Sequence, residues 1–397
     1  MMLLRAALIL ALASLSPVPA LAGTTAPEPY LLVRSMRMLQ DQVASGKPEA
    51  LPMLNRVLGH IAGQLAAAKP QAWQKPANSY ALFIYLLNGG NPDVVRTIIA
   101  TLNPGDVDPK LIAGALAYAE GDAPRIIENF QELPPNIPSE LVASIYLVTA
   151  SQLASIDALT ALKRLDYIRL NAPGTLLEEA ALRRGLIIAA RLGDKNKVVF
   201  LARTYLQRFD LSPYSEDFFR QLVDALLLLG KKAGEAEIQE LASLAWPGAR
   251  LPLYLRIARG SIISGDLSRA RFASQEAISI ASMLKTDDTQ AKLYLAISNV
   301  GSDRTGEAQA ILASLPRSRL HKRDIVLLDA ATAMAGKILQ PPAVKPAPDS
   351  SEKPEAASRA FSASATEPPM AELEDPMIMD ARKKLDAIDA ILGKAGR

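Results

Sequence analysis

The chain is 397 residues long, with a formal net charge of +3, 49% hydrophobic residues, 5% aromatic residues and no cysteine. So small a charge excludes a dedicated nucleic-acid surface, and the missing cysteines exclude disulfides and thiolate metal sites. A core built from Leu, Ala and Ile suits helices, and strand-type alternation is scarce, so the expected class is all-α.

Met1 to Arg5 is a short basic start, Ala6 to Leu15 an apolar stretch, and Ala20-Leu21-Ala22 a small-residue site before Gly23. This pattern predicts a cleavable signal peptide over 1–22 and hence an exported chain. The apolar stretch is shorter than the ~20 residues of a spanning helix, and no later stretch, Tyr80 to Leu87 included, is long enough to provide a transmembrane segment.

Residues 23–76 are expected to form an N-terminal helical hairpin. Its first helix runs from Pro29 to Gly46 with Leu32, Met36, Leu39 and Val43 on one face. Pro48 is expected to open the second, whose face carries Leu51, Leu54, Leu58, Ile61 and Leu65 until Pro70 ends it. The stretch from Ala77 to Asn88 is apolar on nearly all sides and predicts a buried helix. Gly89-Gly90-Asn91-Pro92 then supplies a cap, a turn and a new helix start.

From 77 to 337 the chain repeats. Apolar helical stretches meet at Gly121, Ile156, Gly193, Gly230, Gly265 and Gly301, with successive spacings of 35, 37, 37, 35 and 36 residues. A period of about 36 residues made of paired helices predicts stacked helical hairpins, a tetratricopeptide-like (TPR-like) alpha-solenoid. Gly121-Asp122, Gly193-Asp194 and Gly265-Asp266 share one logic: the glycine closes the first helix in the left-handed conformation and the aspartate caps the second. Ala117, Ala189, Ala270, Ala273 and Ala308 stand where paired helices must approach closely, and Tyr118, Phe200 and Phe272 are expected as large core knobs.

Residues 338–374 are rich in Pro, Ala and Ser and predict a disordered linker. Over 375–397 an amphipathic helix is expected, with Asp375 as cap, Pro376 at its start and an apolar seam through Ile378, Ala381, Leu385, Ile388 and Leu392. Such a seam suits docking on the array itself or on a partner.

The search for catalytic chemistry finds no motif. His60 and His321 are the only histidines and lack metal-ligand spacing. No nucleophile elbow, P-loop or dinucleotide fingerprint occurs. The pairs Glu178-Glu179 and Glu374-Asp375 point in different directions on a helix and are expected to be solvated or capping. Arg317, Arg319, Lys322 and Arg323 around His321 offer either a docking patch for an anionic partner or a solvated loop running into a helix, the latter being the commoner use of a short basic run. Lys163-Arg164 and Arg183-Arg184 are weaker cases of the same kind. No catalytic residue, cofactor or metal is assigned.

The block Glu28-Pro29-Tyr30-Leu31-Leu32-Val33-Arg34-Ser35, with Leu39-Gln40-Asp41, Gly46 and Leu51-Pro52-Met53, resembles the start of the MotC motility proteins of alpha-proteobacteria. Tyr85-Leu86-Leu87-Asn88-Gly89-Gly90-Asn91-Pro92 and Gly114-Ala115-Leu116-Ala117-Tyr118-Ala119-Glu120-Gly121 are similar to that family as well. The likeness is clear over residues 28–130 and looser beyond. It implies a periplasmic protein needed for flagellar rotation that binds the periplasmic part of the stator protein MotB. It carries over no catalytic or binding residue. The leading function is therefore a non-enzymatic binding protein; the alternative is a periplasmic adaptor or chaperone of an envelope system, peptidoglycan remodelling or export. Partner contacts are sought on the concave face of the array, in the N-terminal hairpin near Arg34, and on the seam Ile378, Leu385, Ile388 and Leu392.

Overall fold

Proline, glycine and aspartate set the helix ends. The computed structural model describes residues 27–103 and 105–340, and in these residues seventeen α-helices and three short 3-10 turns occur, with no strand. The expected signal peptide, most of the expected linker and the C-terminal helix with its seam lie outside the described residues.

Helix α1 (Pro29–Ala44) starts on a proline and buries Val33, Met36, Leu39 and Val43; Leu32, expected on that face, is only half-buried. α2 (Ala50–Ala66) buries Leu54, Ile61 and Leu65. Pro48 does not open it: Gly46 takes φ +79° and the chain turns until Ala50 N donates to Lys47 O at 3.1 Å. α3 (Pro76–Leu87) buries almost its whole surface. α4 (Pro92–Ile99) begins at Asn91-Pro92, and the Asn91 side chain accepts from Asp93 N at 2.9 Å.

Six hairpins follow: α5 (Pro109–Glu120) with α6 (Ala123–Asn129), α7 (Ser139–Leu153) with α8 (Ala158–Asn171), α9 (Leu176–Arg191) with α10 (Lys195–Arg208), α11 (Ser215–Leu229) with α12 (Glu235–Leu244), α13 (Pro247–Ile263) with α14 (Leu267–Leu284), and α15 (Thr289–Asn299) with α16 (Thr305–Ser314). All six expected turn positions fall between the two helices of a pair. At Gly193, with φ +70°, the Gly193 amide donates to Ala190 O and the Asp194 amide to Ala189 O. These two bonds close a Schellman motif, which satisfies carbonyls that the helix end would leave bare. Asp194 then accepts from Lys197 N at 2.9 Å, and the same geometry recurs at Gly121-Asp122 and Gly265-Asp266.

The first helices of successive pairs, from α7 through α15 to α17 (Lys322–Leu339), pack on one another in a row. Ala117, Ala189, Ala270, Ala273 and Ala308 are buried, as close approach requires. Polar pairs at about the repeat interval cross between neighbouring units: Arg183 to Asp217 at 2.5 Å, Arg256 to Glu216 at 2.7 Å, Lys197 to Asp166 at 2.6 Å and Lys195 to Glu237 at 2.6 Å. Of these only Arg256–Glu216 is exposed on both sides, a kind of pair that contributes about 0–1 kcal/mol, while the other three are half-buried.

The apolar core forms two clusters that meet at α7. Leu141, Ile145 and Val148 join the cluster of α1 to α6, while Ala143, Ala150 and Leu153 join that of the later hairpins. Phe200 departs from expectation: it is exposed, and the Arg169 guanidinium lies 4.8 Å from its ring centroid, so its face is used for a cation–π contact instead of the core. α17 runs to Leu339, so residues 338 and 339 are helix and not linker.

Candidate interaction surface

Three contacts lay α1 across the N-terminal ends of the hairpins' first helices. Arg37 Nη1 stands 3.6 Å from Glu140 Oε1 in the first turn of α7. Asp41 Oδ1 accepts from Leu176 N, the first residue of α9, at 3.3 Å. At the end of α1, Gly46 lies so near the carbonyl of Leu211 that a Cβ there would collide with it. Asp41 thereby places an anion where the α9 backbone leaves donors unpaired. Burial pushes the Asp41 carboxyl up from its ordinary value, against the opposing pull of the Leu176 hydrogen bond and of Arg37.

The start of α1 is equally fixed. Buried Asn78 of α3 accepts from Tyr30 N at 3.0 Å and donates to Glu28 Oε2 at 2.8 Å, while Lys75 Nζ approaches Glu28 Oε1 to 2.5 Å. These bonds, led by that from Lys75, hold the Glu28 carboxyl below its usual range.

With its apolar face buried and both ends tied, α1 presents Tyr30, Leu31, Arg34 and Met38 to solvent. Arg34, expected as a contact residue, is thus exposed among large apolar side chains, a composition typical of the anchoring part of protein interfaces. Tyr30, Leu31 and Met38 complete the patch; their signal was Arg34 flanked at steps of three and four by large apolar residues. The other expected contacts, Ile378, Leu385, Ile388 and Leu392, lie outside the described residues, as does Glu374-Asp375.

Beneath this edge the pair Glu178-Glu179, expected to be solvated or capping, is not solvated, and Glu178 does take part in a helix cap. Glu178 is 1% exposed and Glu179 0%. Their side chains do diverge. Thr175 Oγ1, at the N-cap of α9, accepts from Glu178 N, Glu178 Oε2 accepts from Gly174 N just before the cap at 2.6 Å, and Arg208 Nη1 meets Glu178 Oε1 at 2.6 Å. Burial pushes the Glu178 carboxyl up despite the Gly174 bond and Arg208. Glu179 Oε1 accepts from Tyr205 Oη at 2.8 Å and from Arg183 Nε at 3.2 Å. Burial and the neighbouring carboxylate drive the Tyr205 hydroxyl upward. Both carboxylates are engaged by structural partners, and the network braces α9 where Asp41 binds it.

The basic runs are structural too. Arg183 bridges Glu179 and Asp217, Arg184 donates to Leu147 O at 3.3 Å, and Arg164 donates to Phe130 O at 3.1 Å. Arg317 pairs with Asp329 at 2.5 Å, Arg319 lies 3.6 Å from Asp287, and Lys322 and Arg323 begin α17, which is the solvated-loop alternative. His60 and His321 are exposed, and no group of three or more His, Asp or Glu among the described residues is placed to hold a metal. No helix among them is long and apolar enough to cross a membrane. A groove of about 400 Å³ between α2 and α4 is lined mainly by apolar residues, including Leu65, Trp73, Val94 and Ile98.

The family model described as "Chemotaxis protein MotC" matches residues 1–397. The chain is 30% identical over 438 aligned positions, 100% of either chain, to the Chemotaxis protein MotC of Rhizobium meliloti (strain 1021). No solved structure matches it.

Proposed function

The chain belongs to the MotC family of chemotaxis proteins, and from that premise we propose that it is a non-enzymatic periplasmic protein that binds the periplasmic part of the flagellar stator protein MotB and is needed for flagellar rotation. The observation that carries this reading is the exposed face of α1, where Tyr30, Leu31, Arg34 and Met38 stand on a helix fixed at both ends. A pre-organised patch loses little side-chain and backbone freedom on binding. The basic and apolar start of the sequence, with Ala20-Leu21-Ala22 before Gly23, supports export. Buried carboxylates at Glu178 and Glu179 that serve the fold support a binding role over a catalytic one. The 36-residue grammar of Schellman turns supports a tetratricopeptide-like array, and the seam Ile378, Leu385, Ile388 and Leu392 is proposed as a second contact.

A strain lacking the protein is expected to assemble normal flagella and fail to swim. Normal swimming of that strain would refute the proposed role.

A further inference from the structure

The edge opposite to the one α1 covers carries a regular apolar row. Ile156 is 73% exposed, Leu192 44%, Leu228 56% and Ile263 63%. They follow one another at 36, 36 and 35 residues, each at the C-terminal end of a first helix or in the turn after it, on α7, α9, α11 and α13. Neighbouring turns touch: Lys232 Nζ donates to Gly193 O at 3.4 Å, and the Arg269 guanidinium donates to Leu226 O at 2.8 Å and Ala233 O at 2.9 Å across the next junction. Four large side chains exposed in phase with the repeat are not the scattered apolar residues of an ordinary surface.

The spacing says what fits. First helices packed side by side lie about 8–10 Å apart, and seven residues of an α-helix rise about 10.5 Å. A helix laid along this edge would therefore set one apolar residue against each member of the row if it carried one at every seventh position. Lys163, Arg191, Lys231 and Lys232 are exposed beside the row, whereas Asp157, Asp194 and Asp266 along it are engaged as helix caps. Against these stand the exposed Asp224 and Glu235, so the exposed charge at the row's flank is basic by four groups to two.

We propose that this turn edge is a docking site for an amphipathic helix of a partner protein, with an apolar seam of seven-residue period flanked by Asp and Glu. It deepens the binding role proposed above and rests on it. Across four repeats the row spans about 30 Å, which a helix of about 20 residues covers. The apolar row supplies affinity by burial and the lysines and arginine supply orientation.

The test uses the full chain and a synthetic 22-residue helical peptide with Leu at every seventh position and Glu flanks, followed by fluorescence anisotropy. Binding is expected, with at least a tenfold loss for the triple variant Leu192→Ser, Leu228→Ser, Ile263→Ser, whose exposed sites leave the fold unchanged by circular dichroism. Replacing Arg191, Lys231 and Lys232 by Glu should shift preference to the same peptide with Lys flanks. Equal binding by wild type and the triple variant, or indifference to the flanking charge, would overturn the proposal. So would a dimer in sedimentation that the triple variant abolishes, since a second copy would then occupy the row. Retention of the MotB periplasmic region by both wild type and triple variant removes this surface and leaves the proposed function standing; retention by neither, with the peptide still bound, refutes the function and not the surface.

Discussion

Asp41 and Leu176, 135 residues apart, are joined by a hydrogen bond of 3.3 Å from the Leu176 amide to the Asp41 carboxylate. This bond ties the N-terminal hairpin to the third of the six hairpins and sets where the face of α1 points. Without it α1 would rest on its apolar stripe and the ends at Asn78 and Gly46.

The burial of Asp41 in this contact predicts a pH signature. The Asp41 carboxyl is raised in the folded protein because burial outweighs its hydrogen bond and Arg37. A raised acid contributes stability that is fully present below its unfolded value, near 3.9, and lost as pH rises through the folded value. Asp41→Asn keeps an oxygen acceptor for Leu176 and removes this titration. The difference in melting temperature, variant minus wild type, should therefore become more positive from pH 3 to pH 7. A difference that is flat or falls over that range would contradict the assignment.

Arg269 holds the end of α11 by capping the carbonyls of Leu226, Gly230 and Ala233 while itself buried. Arg269→Ala orphans these acceptors at about 1–3 kcal/mol for each that water fails to reach. Denaturant unfolding should show a loss of about 3 kcal/mol. Arg269→Lys, which cannot fork to three carbonyls, should recover only part of it.

Two glycines with free space around them should respond oppositely to alanine. Gly265 sits at φ +78° and Gly63 in the interior of α2, and a Cβ meets nothing within 4 Å at either. Gly265→Ala should cost about 1–2 kcal/mol from left-handed strain alone. Gly63→Ala should gain about 0.5–1 kcal/mol by reducing unfolded-chain entropy. Thermal unfolding of the two variants separates the effects.

Arg34→Glu combined with Met38→Asp changes only exposed positions of α1. Stability should move by no more than about 0.5 kcal/mol, while swimming in soft agar is lost. Swimming at the wild-type rate would remove α1 as the contact.

The hairpins were legible because their turns are made by local chemistry. Gly193 and Asp194 solve the same two problems wherever they recur, a bare helix end and a bare helix start, so the period can be read without knowing the packing. The placement of α1 was not legible. It depends on Arg37 with Glu140 and Asp41 with Leu176, pairs more than 100 residues apart that no periodicity marks. The burial of Glu178 and Glu179 was missed for the same reason: their adjacency says nothing of Arg208 or Tyr205, which the pairing of α9 with α10 brings to them. Arg183 four residues after Glu179 was the one local hint. Phe200 is exposed against expectation because its partner Arg169 lies on α8, the second helix of the preceding hairpin, which the local sequence does not mark.

The central claim is that α1 presents a stator-binding face, and direct binding tests it. The full mature chain, immobilised, should retain the purified periplasmic region of MotB, and the variant Arg34→Glu, Met38→Asp should retain at least tenfold less at equal loading. Equal retention by the two proteins, or none by the wild type, would contradict the account.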